Sequence, residues 1–403
     1  MRATGIVVEY NPFHNGHAYH IAQAKKQANT DICIAVMSGS FLQRGEPAVV
    51  DKWTRAKMAL NAGVDIVIEL PYVYSTAQAR DFASGSISLL AAIGCESFVF
   101  GSENGDIAPF LHTYDLISTH RDEYEAVIKK SMTDGMSYPQ ALQQAYQAVL
   151  AYRTGDTIDL AQPNNILGYH YVEAAQQLTP TIQPMTIPRT AANYHDESFS
   201  HASIASATAI RKALFDTKEL MPIQSFVPET TYALLNEWQQ QNPFVQWELF
   251  YPLLQYSILH KTPQQLTQYV DVSEGIEYAF LKAAASEQTF AGFMTKVKSK
   301  RYTWTRLQRM LTHIYTGYTK DIQAQFDKPS YIRLLGMTAA GQRYLGLQKK
   351  HIPLTLISRV AASNDPMLSF DLHAANLYEI GTNLGRTTPR FQTDYATPPI
   401  RVL

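Results

Sequence analysis

Apolar residues in the first two hundred positions fall into short, branched runs separated by longer amphipathic stretches, the alternation that builds a parallel sheet from strand and helix units. The pattern predicts a strand over 2–9, a helix over 17–27 and a strand over 31–37 that runs into the loop Ser38-Gly39-Ser40. A helix over 51–62, a strand over 65–71, a helix over 77–93 and a strand over 97–101 follow. The stretch from about 107 to 154 is rich in Tyr, Ala and Gln and carries no strand signal, so it reads as a helical insertion. The α/β pattern then resumes with a helix from Asn164 and Asn165 to 178, a strand over 181–188 and a helix over 204–215. Beyond 217 the segments lengthen into helices over 229–241, 248–259 and 275–286, ending in a mixed, less legible tail. The expectation is an α/β chain: a Rossmann-like, doubly wound parallel sheet in a domain over 1–216, then a mostly helical domain over 217–403. Right-handed crossovers bring the loops after the strands to one edge, so His14, Ser38, Pro71 and Gly101 should share a rim where a ligand binds.

Composition excludes several classes. With 46% hydrophobic and 17% charged residues and a mean hydropathy of -0.19, the chain reads as globular, neither disordered nor membrane-spanning. Its most apolar stretch, 87–99, is interrupted by Glu96 and is too short to span a bilayer. The first strand begins at once, which leaves no room for a signal peptide. Two cysteines, Cys33 and Cys95, make neither a disulfide framework nor a zinc cluster, and a cytoplasmic location is expected. A net charge of -1 says nothing for or against nucleic acid, so local clusters must decide.

Chemistry concentrates where the first strand meets its helix, at Glu9-Tyr10-Asn11-Pro12-Phe13-His14-Asn15-Gly16-His17. Free N–H groups and the positive dipole end of a helix start favour an anion, and Gly16 lets the backbone approach it. The turn resembles the His-x-Gly-His signature of the nucleotidylyltransferase superfamily, with Tyr10 and Asn11 standing where Phe and Asp are usual; Asn11 removes a negative charge. Downstream, Ser206-Ala207-Thr208-Ala209-Ile210-Arg211 resembles the superfamily's Ser-x-Thr-x-x-Arg element. Alone it would be a helix cap; paired with the histidines it reads as a phosphate clamp, with Arg211 able to fork onto phosphate oxygens. No Gly-x-Ser-x-Gly elbow, reactive cysteine motif or Walker lysine loop offers a covalent nucleophile. Positioning and electrostatics remain, as needed for attack on the α-phosphate of ATP with pyrophosphate leaving.

A second candidate region lies at 296–309, Lys-Val-Lys-Ser-Lys-Arg-Tyr-Thr-Trp-Thr-Arg-Leu-Gln-Arg, basic, interleaved with aromatics and free of acidic residues. Either it is a solvated helix face, or its cations attract phosphates while Tyr302 or Trp304 stacks on a base, as in RNA binding.

The segments Met37 to Ala48, Asp51-Lys52, Arg55, Asp65 to Pro71, Val99 to Glu103, Pro163 to Gly168 and Ser299 to Arg309 together resemble the tRNA(Met) cytidine acetate ligase family through nearly the full length. The resemblance implies that ATP and acetate form acetyl-adenylate with release of pyrophosphate, and that N4 of the wobble cytidine of elongator tRNA(Met) takes the acetyl group. On this reading His14 and His17 are catalytic. The candidate ATP set comprises Val7, Val8, Glu9, Tyr10, Asn11, Pro12, Phe13, His14, Asn15, Gly16, His17 and His20, with Gly101, Asn164, Asn165, Arg189, Thr208 and Arg211. Lys298, Lys300, Arg301, Arg306 and Arg309 are candidates for tRNA. Arg44 and Lys52 face the second substrate or are an ordinary loop arginine and helix-surface lysine. Magnesium is expected with the ATP, and no residue is assigned as a metal ligand; the oligomeric state stays open. The alternative is a nucleotidylyltransferase that moves AMP onto a phosphorylated small molecule. A third reading is an RNA-binding module on a vestigial nucleotide fold.

Overall fold

The first strand, β1 (Ala3–Val8), lies inside an eight-stranded sheet whose order is β5 (Gln183–Pro188), β4 (Ser97–Ser102), β1, β2 (Ile32–Ser38), β3 (Ile66–Leu70), β6 (Tyr331–Thr338) and β7 (Thr355–Ile357), with β8 (Ile400–Val402) also on β6. The computed structural model describes residues 1–136, 138–179, 181–189 and 205–402. Strands β2 (Ile32–Ser38) and β3 (Ile66–Leu70) are buried at every position, as continuous apolar runs must be when helices cover both faces. Parallel pairing links β1, β2 and β3 on one side and β4 (Ser97–Ser102) with β5 (Gln183–Pro188) on the other. The strand order therefore reverses between β1 and β4. That reversal opens a crevice at the carboxyl ends of these two strands, the place where such sheets take ligands.

Three strands come from the second half of the chain, where the apolar pattern shows only helices and an illegible tail. Strand β6 (Tyr331–Thr338) runs antiparallel to β3, with Glu69 opposite Arg333, so the sheet is mixed. Its other edge is shared by β7 (Thr355–Ile357) and β8 (Ile400–Val402). The stretch after β4 carries helices over Ala108–Thr119, Arg121–Thr133 and Tyr138–Val149. The helix expected over 204–215 covers Ala207–Thr217, and Ile204 lies outside the described residues.

The rim expected at Ser38 and Pro71 is not open. Ser38 is buried, and the loop that follows it folds over the ends of β2 and β3 with Phe41 as its anchor. The Phe41 ring meets Tyr72, Phe250, Tyr315 and Tyr378 edge-on, so helices of the second half close this end of the sheet. Beneath the loop, α2 (Lys52–Asn61) sends Arg55 into the interior. Its guanidinium donates to the carbonyls of Glu9 (2.7 Å), Ser38 (2.9 Å) and Val50 (3.2 Å), and to Gly39. One fully buried cation thereby satisfies the strand-end carbonyls of both β1 and β2, which would otherwise be costly to bury.

Lys52, at the first turn of α2, is also buried, so it is not a helix-surface lysine. Its Nζ donates to Glu69 at 2.7 Å and Asp394 at 2.9 Å, and Arg333 pairs with the same two carboxylates at 3.2 and 3.1 Å. Two cations and two anions balance inside the protein, the arrangement that makes buried charge tolerable.

Candidate active site

The turn after β1 is held by its own imidazoles. His14 precedes α1 (Asn15–Ala28), and its Nδ1 accepts the Gly16 N–H at 3.1 Å. In return the His14 N–H donates to Nδ1 of His17 at 3.2 Å. The pair is a capping box built from histidines, with free helix-start donors satisfied reciprocally. A ring nitrogen that accepts from a backbone N–H carries no proton, so these partners assign the neutral imidazole proton to Nε2 in both residues. Burial, then Arg189 and Arg211, push the His14 pKa down to about 3, and burial with His14 and His20 nearby holds His17 well below the ordinary value. Both rings are therefore neutral and offer an Nε2–H.

The rest of the turn fixes this geometry. Asn11, at the position usually held by Asp, accepts the Val49 N–H on Oδ1 at 2.7 Å. Tyr10 takes a left-handed backbone (φ 53°), and its ring packs against Phe13 and His17. His20, one turn along α1, puts its Nε2 3.1 Å from the Val99 carbonyl, so that nitrogen carries the proton; burial lowers its pKa to about 4.

A cavity of about 270 Å³ opens at the β1/β4 reversal. Val7, Val8, Glu9, Tyr10, Asn11, His14, Gly16, His17 and His20 line it, together with Gly101, Asn164, Arg189, Thr208 and Arg211. Arg211 donates to the Asn11 carbonyl at 2.9 Å, bringing residues two hundred positions apart into contact. Ser206 is the cap of its helix, accepting the Ala209 N–H at 3.0 Å, while Thr208 faces the cavity. Arg189 lies across Gly101, where a Cβ would stand 3.1 Å from its Cγ, and donates to Asn164 at 3.0 Å.

Four expected nucleotide contacts lie off the cavity lining. Pro12 and Phe13 are buried beneath the turn, and Asn15 donates to the Ser225 carbonyl at 3.0 Å. Asn165 is buried, accepting the Glu103 N–H and donating to the Asp159 carbonyl at 3.2 Å. In their place the cavity takes Phe82, Phe100 and Tyr171, whose rings supply an apolar surface, and the loop residues Gln43, Arg44 and Glu46. Phe100 sits beside Gly101 at a strand end, a signal sufficient to find it. The loop residues have no local signal, since only the fold of 39–50 over the sheet brings them there.

The basic run divides between two environments. Lys298, Lys300 and Arg301 are exposed before the Trp304–Thr316 helix, and Arg306 is half-buried, its guanidinium over the Tyr302 ring at 5.0 Å. Arg301 pairs with Glu274 at 2.8 Å. Arg309 points inward, 9% exposed and 3.6 Å from Asp271, and so is not part of the exposed basic surface. Tyr302 is buried and hydrogen-bonded to Ser273, so only Trp304 of the two aromatics is free to stack on a base. The same helix touches the cavity loop: a Cβ on Gly45 (φ +76°) would stand 2.3 Å from the Arg309 nitrogen. Trp247 locks that contact by donating to the Gly45 carbonyl at 2.8 Å.

The cavity thus combines neutral N–H donors, two helix starts and two arginines, suited to anionic oxygens, with aromatic walls suited to a flat ring. Among the described residues no three His, Cys, Asp or Glu side chains gather to hold a metal ion.

A model of HIGH nucleotidyl transferases matches residues 1–393. The chain is 61% identical over 402 residues to the tRNA(Met) cytidine acetate ligase of Lysinibacillus sphaericus, covering all of both chains. It is also similar to the crystal structure of apo Thermotoga maritima TmcAL, with TM-score 0.93 and 32% identity over the whole of both chains. The same Thermotoga maritima protein bound with alpha-thio ATP matches with TM-score 0.89 and 31% identity, covering 100% of this chain and 99% of that one.

Proposed function

Because the chain belongs to the HIGH nucleotidyl transferases and, at full length, to the tRNA(Met) cytidine acetate ligases, we propose that its cavity joins acetate to ATP and passes the acetyl group to tRNA(Met). The reaction is an ATP-dependent ligation, and N4 of the wobble cytidine is its acceptor. One observation carries the assignment of residues: the His14 and His17 imidazoles share a single cleft with Arg211 and Thr208.

Acetate attacks the α-phosphorus, the α–β bridging oxygen leaves with pyrophosphate, and the mixed anhydride remains. The Nε2–H groups of His14 and His17 donate to oxygens that gain charge, and being neutral they lose no proton in doing so. Arg211 and Thr208 hold the distal phosphates at a second helix start, while Arg189, steadied by Asn164, closes the nucleotide over Gly101. The aromatic wall of Phe100 and Tyr171 takes the base.

The described residues do not fit a resident metal. Asn11 spends its side-chain oxygen on Val49, and the described residues gather no ligand set. Magnesium, where it accompanies ATP, would be carried on the phosphates of the substrate.

The tRNA meets Lys298, Lys300, Arg301 and Arg306, with Trp304 exposed among them. The Trp304–Thr316 helix that follows these cations touches, at Gln308 and Arg309, the loop that supplies Gln43, Arg44 and Glu46 to the cavity, which supports an approach of the anticodon from that side. No helix among the described residues is long and apolar enough to cross a membrane. Incubation with labelled acetate, ATP and tRNA tests the whole reading. Label should enter tRNA with stoichiometric pyrophosphate release; a product retaining AMP, or no pyrophosphate at all, would overturn it.

A further inference from the structure

Acetyl transfer needs a group that the adenylation step does not. When N4 of cytidine attacks the acetyl carbon, the N4–C bond forms, the anhydride C–O bond breaks and AMP leaves with that electron pair. A proton must leave N4 in the same step, because the exocyclic amine is too weakly basic to keep it. His14 and His17 cannot serve: each uses Nδ1 to accept a backbone N–H and presents only a donor. Glu46 is engaged by Arg211 at 3.6 Å. His20 commits its Nε2–H to the Val99 carbonyl at 3.1 Å, and burial lowers its pKa to about 4.

Glu9 is different. It follows β1 directly and lines the cavity beside the motif turn. Both ends of the residue are anchored: its carbonyl accepts from Arg55 at 2.7 Å and its Oε1 accepts the Gln43 N–H at 2.8 Å. Carboxylates accept readily from the N4 amino group of cytosine, which makes this side chain suited to select the base as well. From this geometry we infer that Glu9 receives the proton of cytidine N4 during acetyl transfer, a role that rests on the function proposed above. Burial, reinforced by Glu46, raises its pKa above the usual carboxylate value despite the Gln43 N–H, Arg44 and Arg211, which brings it nearer the working pH. Arg55, beneath it, faces its backbone carbonyl.

Glu9→Gln keeps an acceptor for the Gln43 N–H and loses the base. Two steps should be read on the full chain: acetate-dependent exchange of pyrophosphate into ATP, and single-turnover transfer to tRNA(Met) from acetyl-adenylate formed on the protein. Transfer should fall at least about 100-fold, the scale of general-base catalysis, and exchange by less than tenfold. The transfer rate of the parent protein should rise with pH through one ionisation, which the variant loses and Glu9→Asp partly restores. Equal loss in both steps with an unchanged melting temperature, or unchanged transfer, would overturn the role. Absence of acetate-dependent exchange in the parent protein would instead overturn the proposed function, and this inference with it.

Discussion

His14 and His17 are hydrogen-bonded backbone to ring at 3.2 Å and stacked ring to ring at 3.7 Å, so the His14 N–H sets the tautomer of His17 while the Gly16 N–H sets that of His14. Structure and chemistry can be separated there, because the two nitrogens of one ring have different tasks. Asparagine at position 17 places an oxygen near Nδ1 and nothing near Nε2. His17→Asn should keep the cap, with stability within about 1 kcal/mol of the parent. Pyrophosphate release should drop by about 10²–10³, the cost of one oxyanion donor. Denaturant melts beside the exchange assay would check this; unchanged exchange would remove His17 from the chemistry.

Protonation must work against the fold. The folded pKa values of His14 and His20, about 3 and about 4, lie below the unfolded value of about 6.5. Such depressed groups give their full stabilisation above about pH 6.5 and lose it as pH falls toward the folded values. Melting temperature should therefore decline steadily below about pH 6, and the exchange rate should show no histidine ionisation between about pH 6 and 8. A step near pH 6.5 in the exchange profile would contradict the neutral pair.

Charge removal at 298–309 should separate two kinds of basic residue. Lys300→Ala with Arg301→Ala should weaken tRNA binding and flatten its salt dependence by about one unit of slope for each phosphate no longer neutralised, with adenylate formation intact. Arg309→Ala should instead lower stability, since it uncovers Asp271. Binding titrations at several salt concentrations, with melts in parallel, distinguish them.

Loss of Lys52 should be a folding defect. Lys52→Ala leaves Glu69 and Asp394 facing Arg333 alone in the interior and should cost about 3–5 kcal/mol. Chemical denaturation measures it; a neutral result would mean that water reaches the cluster.

The legible part of this fold is the local part. Strands β1 to β5 and the turn at Asn11 to His17 announce themselves through apolar runs, Pro12 and Gly16, and the signature spacing ties them to Arg211. What escaped depends on partners far along the chain. Strand β6 pairs with β3 across more than 260 positions, and the edge strands β7 and β8 have three residues each, too few to carry a period. Lys52 looks like any helix-start lysine until β6 and Asp394 arrive. The run at 296–309 looks uniform in sequence, yet helical geometry turns Arg309 inward and leaves Lys300 outside.

The pairing of β3 with β6 has a consequence for how the protein comes into being. On the ribosome, Leu70 emerges long before Tyr331; at about 5–20 residues per second the delay is on the order of tens of seconds. Throughout that interval β3 is an open border of the nascent sheet, its amides and carbonyls ready for any passing strand. Charge at Glu69 and the adjacent Lys52 sits on that border, and it discourages a foreign partner until Arg333 and Asp394 are synthesised.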